Sequence, residues 1–292
     1  MYSDQVPELP EVETIARGLD QRVSGDMIES VWIGSKKQPL KSPARLIAST
    51  IEGKRILRVH RAGKHIVLAL EGKPRRKTGS RRVRGSKPPA PPADTAQWIV
   101  HLGMTGRMVV CQPSDEVVKH THLVAKLEAG RELRFIDPRM FGKLSVHAGN
   151  FDPGGVEPLE ATEEQFIGLF RGRKTPIKNA LLNQKLLRGV GNIYADESLF
   201  RAGIRPRRRA STLTRERLGK LYHAVQEVLR EAIDLGGSSI SDYVDADGAE
   251  GFFQLQHRVY GREGENCLVC RGPIRRIVMA GRSSHYCAKC QK

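Results

Sequence analysis

Four cysteines near the end of the chain limit its fold more than any other feature. Cys267 and Cys270 form one Cys-x2-Cys pair and Cys287 and Cys290 a second, with 16 residues between them. Each short spacing lets one tight turn aim two thiolates at a single ion, and two such turns complete a tetrahedral four-sulfur zinc site. A closed shell leaves no position for water, so the expected zinc is structural. Two disulfides are the alternative, but four cysteines crowded into the last 26 residues do not look like a secreted disulfide framework. Cys111, the fifth, falls on a predicted strand and reads as a small buried hydrophobe.

Ahead of this finger the hydrophobic pattern changes period twice. Val12, Ile15, Ala16, Leu19 and Val23 form a helical stripe that Gly25 ends; Pro10 suits a first helical position, and Glu11 and Glu13 suit the positive end of the dipole. Short β-rich runs follow at 56–61, 66–70, 98–102, 107–110, 121–127, 132–136 and 143–147, separated by Gly, Asp or Pro, as in an antiparallel sandwich or barrel. Residues 73–94 interrupt them with eight basic residues and almost no apolar content, and read as a disordered basic loop. After Phe151-Asp152-Pro153-Gly154-Gly155 the pattern turns helical, at 163–170, 176–187, 193–202 and 214–235.

The expected fold class is therefore α+β and multidomain. An N-terminal antiparallel β-sandwich domain with an N-terminal helix covers 7–150, a helical domain 151–262 and the finger 263–292. No apolar run approaches the ~18 residues a membrane span needs, and the front end lacks the basic-then-apolar layout of a signal peptide. A cytoplasmic or nucleoid location is the expectation. Nothing in the pattern points to an obligate oligomer, so a monomer is expected.

A net charge of +17 favours a polyanionic partner, and about +9 remains when the eight basic charges of the loop are set aside. Chemistry enters at the front, in Val6-Pro7-Glu8-Leu9-Pro10-Glu11. A proline at a free N-terminus carries a secondary amine partly neutral near pH 7, able to attack an electrophilic carbon and form an iminium ion. Glu8 would lie within reach as a general acid. As written, Val6 acylates that nitrogen.

Five segments in order carry a resemblance: PELPEVET at the front, HLGMTG (101–106), DPRMFG (137–142), GVGNIYADESLF (189–200), and the four-Cys finger with GRSSHYC (281–287). Together they resemble the bacterial formamidopyrimidine-DNA glycosylase family, which excises oxidised purines such as 8-oxoguanine. The likeness runs from Pro7 to Gln291, interrupted by the basic loop. It implies that Pro7 is the nucleophile at C1′ of the damaged nucleotide, that Glu8 protonates the opening sugar, and that Glu11 supports the site. It also implies that Lys64 contacts phosphates beside the lesion. Met104, Arg139 and Phe141 match the trio that enters the duplex where the base leaves; Met140 stands where a second arginine is common. Lys178 and Asn192 match phosphate contacts of a helix–two-turn–helix domain, and Arg282 the arginine at the finger's hairpin tip. Residues 236–262 match a lesion-capping loop, long, polar and Gly-rich, as suits a lid.

Family members begin at the proline, so residues ahead of Val6 are expected to be an over-extended reading frame, with translation starting at position 6. The implied enzyme is a bifunctional glycosylase and abasic-site lyase acting on double-stranded DNA with oxidised purines or abasic sites, with one zinc. Two rivals remain: an endonuclease VIII-like enzyme for oxidised pyrimidines, and a non-catalytic zinc-containing DNA-binding protein. The full-length loop at 236–262 and the PELPEVE front end speak against the first; covalent trapping on lesion DNA would exclude the second.

Overall fold

The computed structural model describes residues 6–72, 95–238 and 251–292. Met1–Gln5, the basic loop 73–94 and the centre of the expected lid, 239–250, lie outside the described residues. The chain divides into two compact units. One holds the residues up to Thr14, Ala62–Lys64 and Asp152–Lys292, the other Ile15–Arg61 and His65–Phe151.

The second unit is built on two four-stranded sheets. One is ordered β1 (Ile28–Ile33), β6 (Thr121–Leu127), β7 (Glu132–Ile136), β5 (Arg107–Cys111); the other β2 (Lys54–Ala62), β3 (His65–Gly72), β4 (Thr95–His101), β8 (Lys143–Ala148). The β1–β6, β6–β7, β5–β7, β3–β4 and β4–β8 pairs run antiparallel. Central β4 buries every residue from Ala96 to Val100, Gln97 included, so its burial is continuous rather than alternating. Ile15, Ala16, Leu19 and Val23 of α1 (Leu9–Val23) are buried here, on the stripe the sequence predicts. A second helix, α2 (Ala44–Ile51), buries Ile47 and Ile51.

The first unit is helical: α3 (Glu163–Phe170), α4 (Ile177–Leu181), α5 (Asn192–Arg201) and α6 (Arg215–Asp234). Thr162 and Gln165 start α3 with a reciprocal capping box, and the Thr214 hydroxyl accepts from Arg217 N to start α6. Phe166, Leu181, Tyr194, Leu199, Leu221, Val225 and Leu229 fill the core these helices share. The helix predicted over 176–187 ends early, at Leu181. Beyond it, Asn183 Oδ1 accepts from Lys185 N and Gln184 Oε1 from Gly189 N. Side chains that satisfy the local backbone this way compete with a helical ladder.

The finger's strands β9 (Ile274–Met279) and β10 (Arg282–Cys287) form an antiparallel hairpin. Ala280 and Gly281 both have positive φ, 47° and 74°, as a two-residue type I′ turn requires, and Arg282 follows directly.

Candidate active site

The front of the chain forms a site in the first unit by capping two helices. Glu8 is the residue before α1, and Glu11, three positions on, accepts the Glu8 N–H on Oε2 at 2.9 Å, half of a capping box. The Glu8 side chain is therefore left to serve another helix. Leu9 N donates to Gly189 O at 3.0 Å, which docks this segment on the Gly189-Val190-Gly191-Asn192 turn. There Glu8 Oε1 accepts from Ile193 N at 3.2 Å, at the start of α5, whose own cap residue Gly191 offers no side chain. A carboxylate there meets the unpaired N–H groups and the positive end of the dipole. The fit permits nothing larger: a β-carbon on Gly191 would fall 2.1 Å from Glu8 Cδ.

Electrostatics set the state of this carboxyl. Burial raises its pKa to about 7, against the opposing pull of Lys64 and the amides of Ile193 and Tyr194, with Glu11 adding to the rise. A group balanced there can both give and take a proton near neutrality. Burial lowers the pKa of Lys64, and Arg282 lowers it further, while Glu8 and Glu11 oppose the shift. Glu11 is also raised by burial, against hydrogen bonds that favour its anion. Its Oε1 accepts from the Tyr194 hydroxyl and from Ser238 N, the latter at 2.8 Å. One carboxylate thus joins the start of α1, α5 and the root of segment 236–253. Pro7 sits half-buried at the head of this cluster.

Beside it lies a polar set shared by α4, α5 and the finger hairpin. Asn192 Nδ2 donates to Ser283 Oγ at 3.3 Å, and the Tyr260 hydroxyl hydrogen-bonds with both residues. Burial foremost pushes that hydroxyl's pKa up to about 12, with the negative charge of Glu8 adding to it. Arg282 is exposed at the hairpin tip. Lys178 departs from its expected place. Its side chain is fully buried, with Nζ 2.7 Å from Asp196 Oδ1 and 2.7 Å from Ser283 O. The expectation that its ammonium touches phosphate does not fit this placement, because the helix α5 carboxylate has claimed it.

In the second unit, Met104, Arg139 and Phe141 occupy two loops, 102–106 and 137–142. Phe141 is 51% exposed, and the Arg139 guanidinium carbon lies 5.2 Å from its ring centre. The four finger thiols lie within 4.8 Å of one another, with Cys267–Cys290 at 3.9 Å and Cys270–Cys287 at 3.4 Å between sulfurs. Tetrahedral zinc–thiolate bonds of about 2.3 Å place sulfurs roughly 3.8 Å apart, whereas a disulfide needs about 2.05 Å. The donor set fits zinc and excludes the two-disulfide alternative.

Comparison with known proteins agrees along the whole length. Residues 6–144 match the formamidopyrimidine-DNA glycosylase N-terminal domain, 155–244 its H2TH domain, and 264–292 the zinc finger found in FPG and IleRS. The chain belongs to the formamidopyrimidine-DNA glycosylase family. It is 44% identical over 291 residues to the formamidopyrimidine-DNA glycosylase of Solibacter usitatus, covering 98% of this chain and 100% of that protein. The crystal structure of the MutM (Fpg) protein from Thermus thermophilus superposes with a TM-score of 0.80 at 40% identity, covering 98% of each chain. A Lactococcus lactis Fpg bound to DNA containing N7-benzyl-Fapy-dG gives 0.83 at 31% identity, covering 98% of this chain and 100% of that one. The chain is accordingly a DNA glycosylase with one structural zinc. No helix among the described residues is long and apolar enough to cross a membrane.

Three residues of this site escaped the sequence reading. Tyr194, Asp196 and Glu197 all lie in the recognised segment GVGNIYADESLF. Glu197 is buried and accepts the N–H groups of Arg258, Val259 and Tyr260 at 2.9, 3.0 and 2.8 Å, which fixes Tyr260. Two adjacent acids in the middle of a largely apolar helix were the available signal, since such residues are rarely buried without partners.

Proposed function

We propose that the protein excises oxidised purines from duplex DNA and then cuts the strand at the resulting abasic site, using Pro7 as nucleophile. The observation that carries this reading is the Glu8 carboxyl, buried on the α5 N-terminus beside Lys64 and one residue from Pro7, with a pKa of about 7. The reading requires Pro7 to be the first residue of the active chain, as initiation at position 6 and removal of the initiator would leave it.

The Pro7 nitrogen bonds to C1′ of the damaged nucleotide, and the base departs with the electron pair of its glycosidic bond and a proton. Glu8, in its neutral form, gives a proton to the ring oxygen as the sugar opens, leaving an iminium ion between Pro7 and C1′. The iminium acidifies the C2′ hydrogen. Loss of that proton expels the 3′ phosphate, a second elimination expels the 5′ phosphate, and water releases the proline. Lys64, Asn192, Tyr260 and Arg282 supply donors for the phosphates around the lesion, and Lys178 serves by holding Ser283, the neighbour of Arg282. Met104, Arg139 and Phe141 fill the gap left by the everted nucleotide, with Arg139 offered to the orphaned base. Zinc supplies no chemistry to these steps; it holds the hairpin that carries Arg282. Repair of chromosomal DNA of this kind fits a cytoplasmic, nucleoid-associated enzyme.

Borohydride trapping tests the proposal. A chain initiated at position 6 should form a covalent adduct with an 8-oxoguanine duplex, and the chain that retains residues 1–6 should not. Equal trapping by the two, or a stronger preference for thymine glycol than for 8-oxoguanine, would overturn it.

A further inference from the structure

The loops carrying Met104, Arg139 and Phe141 run side by side. Loop 102–106 leaves β4 of one sheet for β5 of the other, and loop 137–142 leaves β7 for β8, back between the same two sheets. Their ends are paired, His101 with Lys143 and Arg107 with Ile136. Between those ends the backbones nearly touch, since a β-carbon on Gly103 would fall 2.5 Å from Gly142 N and Phe141 C.

One carboxylate and one hydroxyl close the gap. Asp137 is fully buried. Its Oδ1 accepts from Thr105 Oγ1 at 2.6 Å, and its Oδ2 from Gly142 N at 2.7 Å. The same Thr105 oxygen accepts from Arg139 N at 3.2 Å. Behind the pair, Asp137 N donates to His120 O at 3.0 Å and the His122 Nε2 lies 2.9 Å from Asp137 O, so the acid is anchored to the sheet side. Met140 has a φ of 57°, a left-handed conformation uncomfortable for its side chain, which turns the chain between Arg139 and Phe141. Thr105, itself on the loop of Met104, therefore holds through one oxygen both the Asp137 carboxylate and the Arg139 amide of the facing loop.

We propose that Thr105 and Asp137 are positioning residues that lock Met104, Arg139 and Phe141 into a single wedge, and so set how fast the wedge enters the duplex as the damaged nucleotide leaves. The inference rests on the function proposed above but concerns eversion and not the covalent chemistry. Loosely held loops would still fold and still present the same side chains. They would enter the stack in the wrong register, and a misplacement of an ångström is enough to matter.

Thr105→Val removes the hydroxyl at nearly constant shape; Thr105→Ser keeps it. A duplex carrying 8-oxoguanine beside 2-aminopurine reports eversion by stopped-flow fluorescence, and borohydride trapping on a pre-formed abasic site reports chemistry with no base to evert. Thr105→Val should slow the fluorescence phase about tenfold, the loss of roughly one hydrogen bond to a charged group, and leave abasic-site trapping within about twofold of wild type. Thr105→Ser should restore most of the rate. In a double-mutant cycle, Thr105→Val should add little to Phe141→Ala, because both act through the same wedge. A wild-type fluorescence phase in Thr105→Val overturns the proposal. So does an equal loss in both assays, which would mark a general folding defect, and so does full additivity with Phe141→Ala. If the wild-type chain begun at Pro7 gives no trapped adduct, the catalytic reading fails instead, while the fluorescence phase still judges the wedge.

Discussion

Gly191→Ala offers the sharpest test of how the site is assembled, because it changes one methyl group and no charge. Gly191 has φ −124° and ψ −159°, extended backbone open to any residue, so alanine brings no conformational strain there. Its new β-carbon would instead lie 2.1 Å from Glu8 Cδ, 2.3 Å from Oε1 and 2.5 Å from Oε2. Restoring ordinary contact requires the carboxyl to retreat by about 1.4 Å, since non-bonded carbons settle near 3.5 Å. That retreat breaks the 3.2 Å bond from Ile193 N and aims the proton away from the sugar. Displacements of about 1 Å cost on the order of 100-fold in rate. Stability should change little. A lost neutral-strength hydrogen bond of about 1 kcal/mol is partly offset by the ~0.4–1 kcal/mol that Gly→Ala gains by restricting the unfolded chain. Single-turnover release of 8-oxoguanine at saturating enzyme, with the thermal midpoint recorded beside it, is the assay. We expect excision to fall about 100-fold with the midpoint within a few degrees. Excision within threefold of wild type would show that Glu8 does not act from the position it holds on α5.

Other consequences follow from the same geometry. With the Glu8 pKa raised to about 7, the neutral acid is lost as pH rises through that value, so single-turnover excision should decline above it, and Glu8→Gln should be slow and lack that limb. The sign for folding is the same: a carboxyl raised from 4.5 to about 7 favours the folded state below the lower value and withdraws that support as pH climbs through the interval, so thermal midpoints should be higher near pH 5 than near pH 8 on this account. Lys178→Met should weaken DNA binding and lower the thermal midpoint yet leave the dependence of log affinity on log salt unchanged, with Asp196→Asn behaving alike; Arg282→Ala should reduce that slope by about 0.9. A slope lowered equally by Lys178→Met would return Lys178 to the phosphates. Stripping zinc with a thiol-reactive mercurial and a chelator should release one equivalent of metal and abolish duplex binding while the β-sheet circular dichroism persists; binding that survives metal loss would detach the finger from the interface.

What the sequence revealed follows from how local each signal is. β6 and β7 and helix α3 lie where their patterns place them, since unbroken periodicity between turn residues needs no distant partner to be read. Strand β1 escaped because a bulge between Ile28 and Ser30 breaks its alternation and its Trp32 is half exposed. Helix α2 is two turns long with no side-chain cap, too short for its apolar stripe to stand out. In the site, Pro7, Glu8 and Asn192 were visible as motif residues. The burial of Lys178 was not, because it depends on Asp196, 18 positions away on another helix, and on a hairpin carbonyl a hundred residues further on. Motif matching names a residue; it does not say which partner will claim its charge.

The front segment shows why such partners matter. A buried carboxyl without donors would cost several kcal/mol, and Glu8 and Glu11 sit together within four residues. Glu11 escapes that cost by accepting from Glu8 N, Ser238 N and the Tyr194 hydroxyl, among other donors, and so works as structure. Glu8 takes its amides from α5 alone, and one of its oxygens, Oε2, is left buried with no hydrogen-bond partner among the described residues. The two acids thus divide into a satisfied one and an unsatisfied one, and the division explains their chemistry. An oxygen buried without a protein donor is most easily satisfied by carrying a proton, and a proton held one residue from a nucleophilic amine is ready to be given to an opening sugar. Adding a hydrogen-bond donor at that oxygen should lower the Glu8 pKa and slow single-turnover excision even with every motif residue in place.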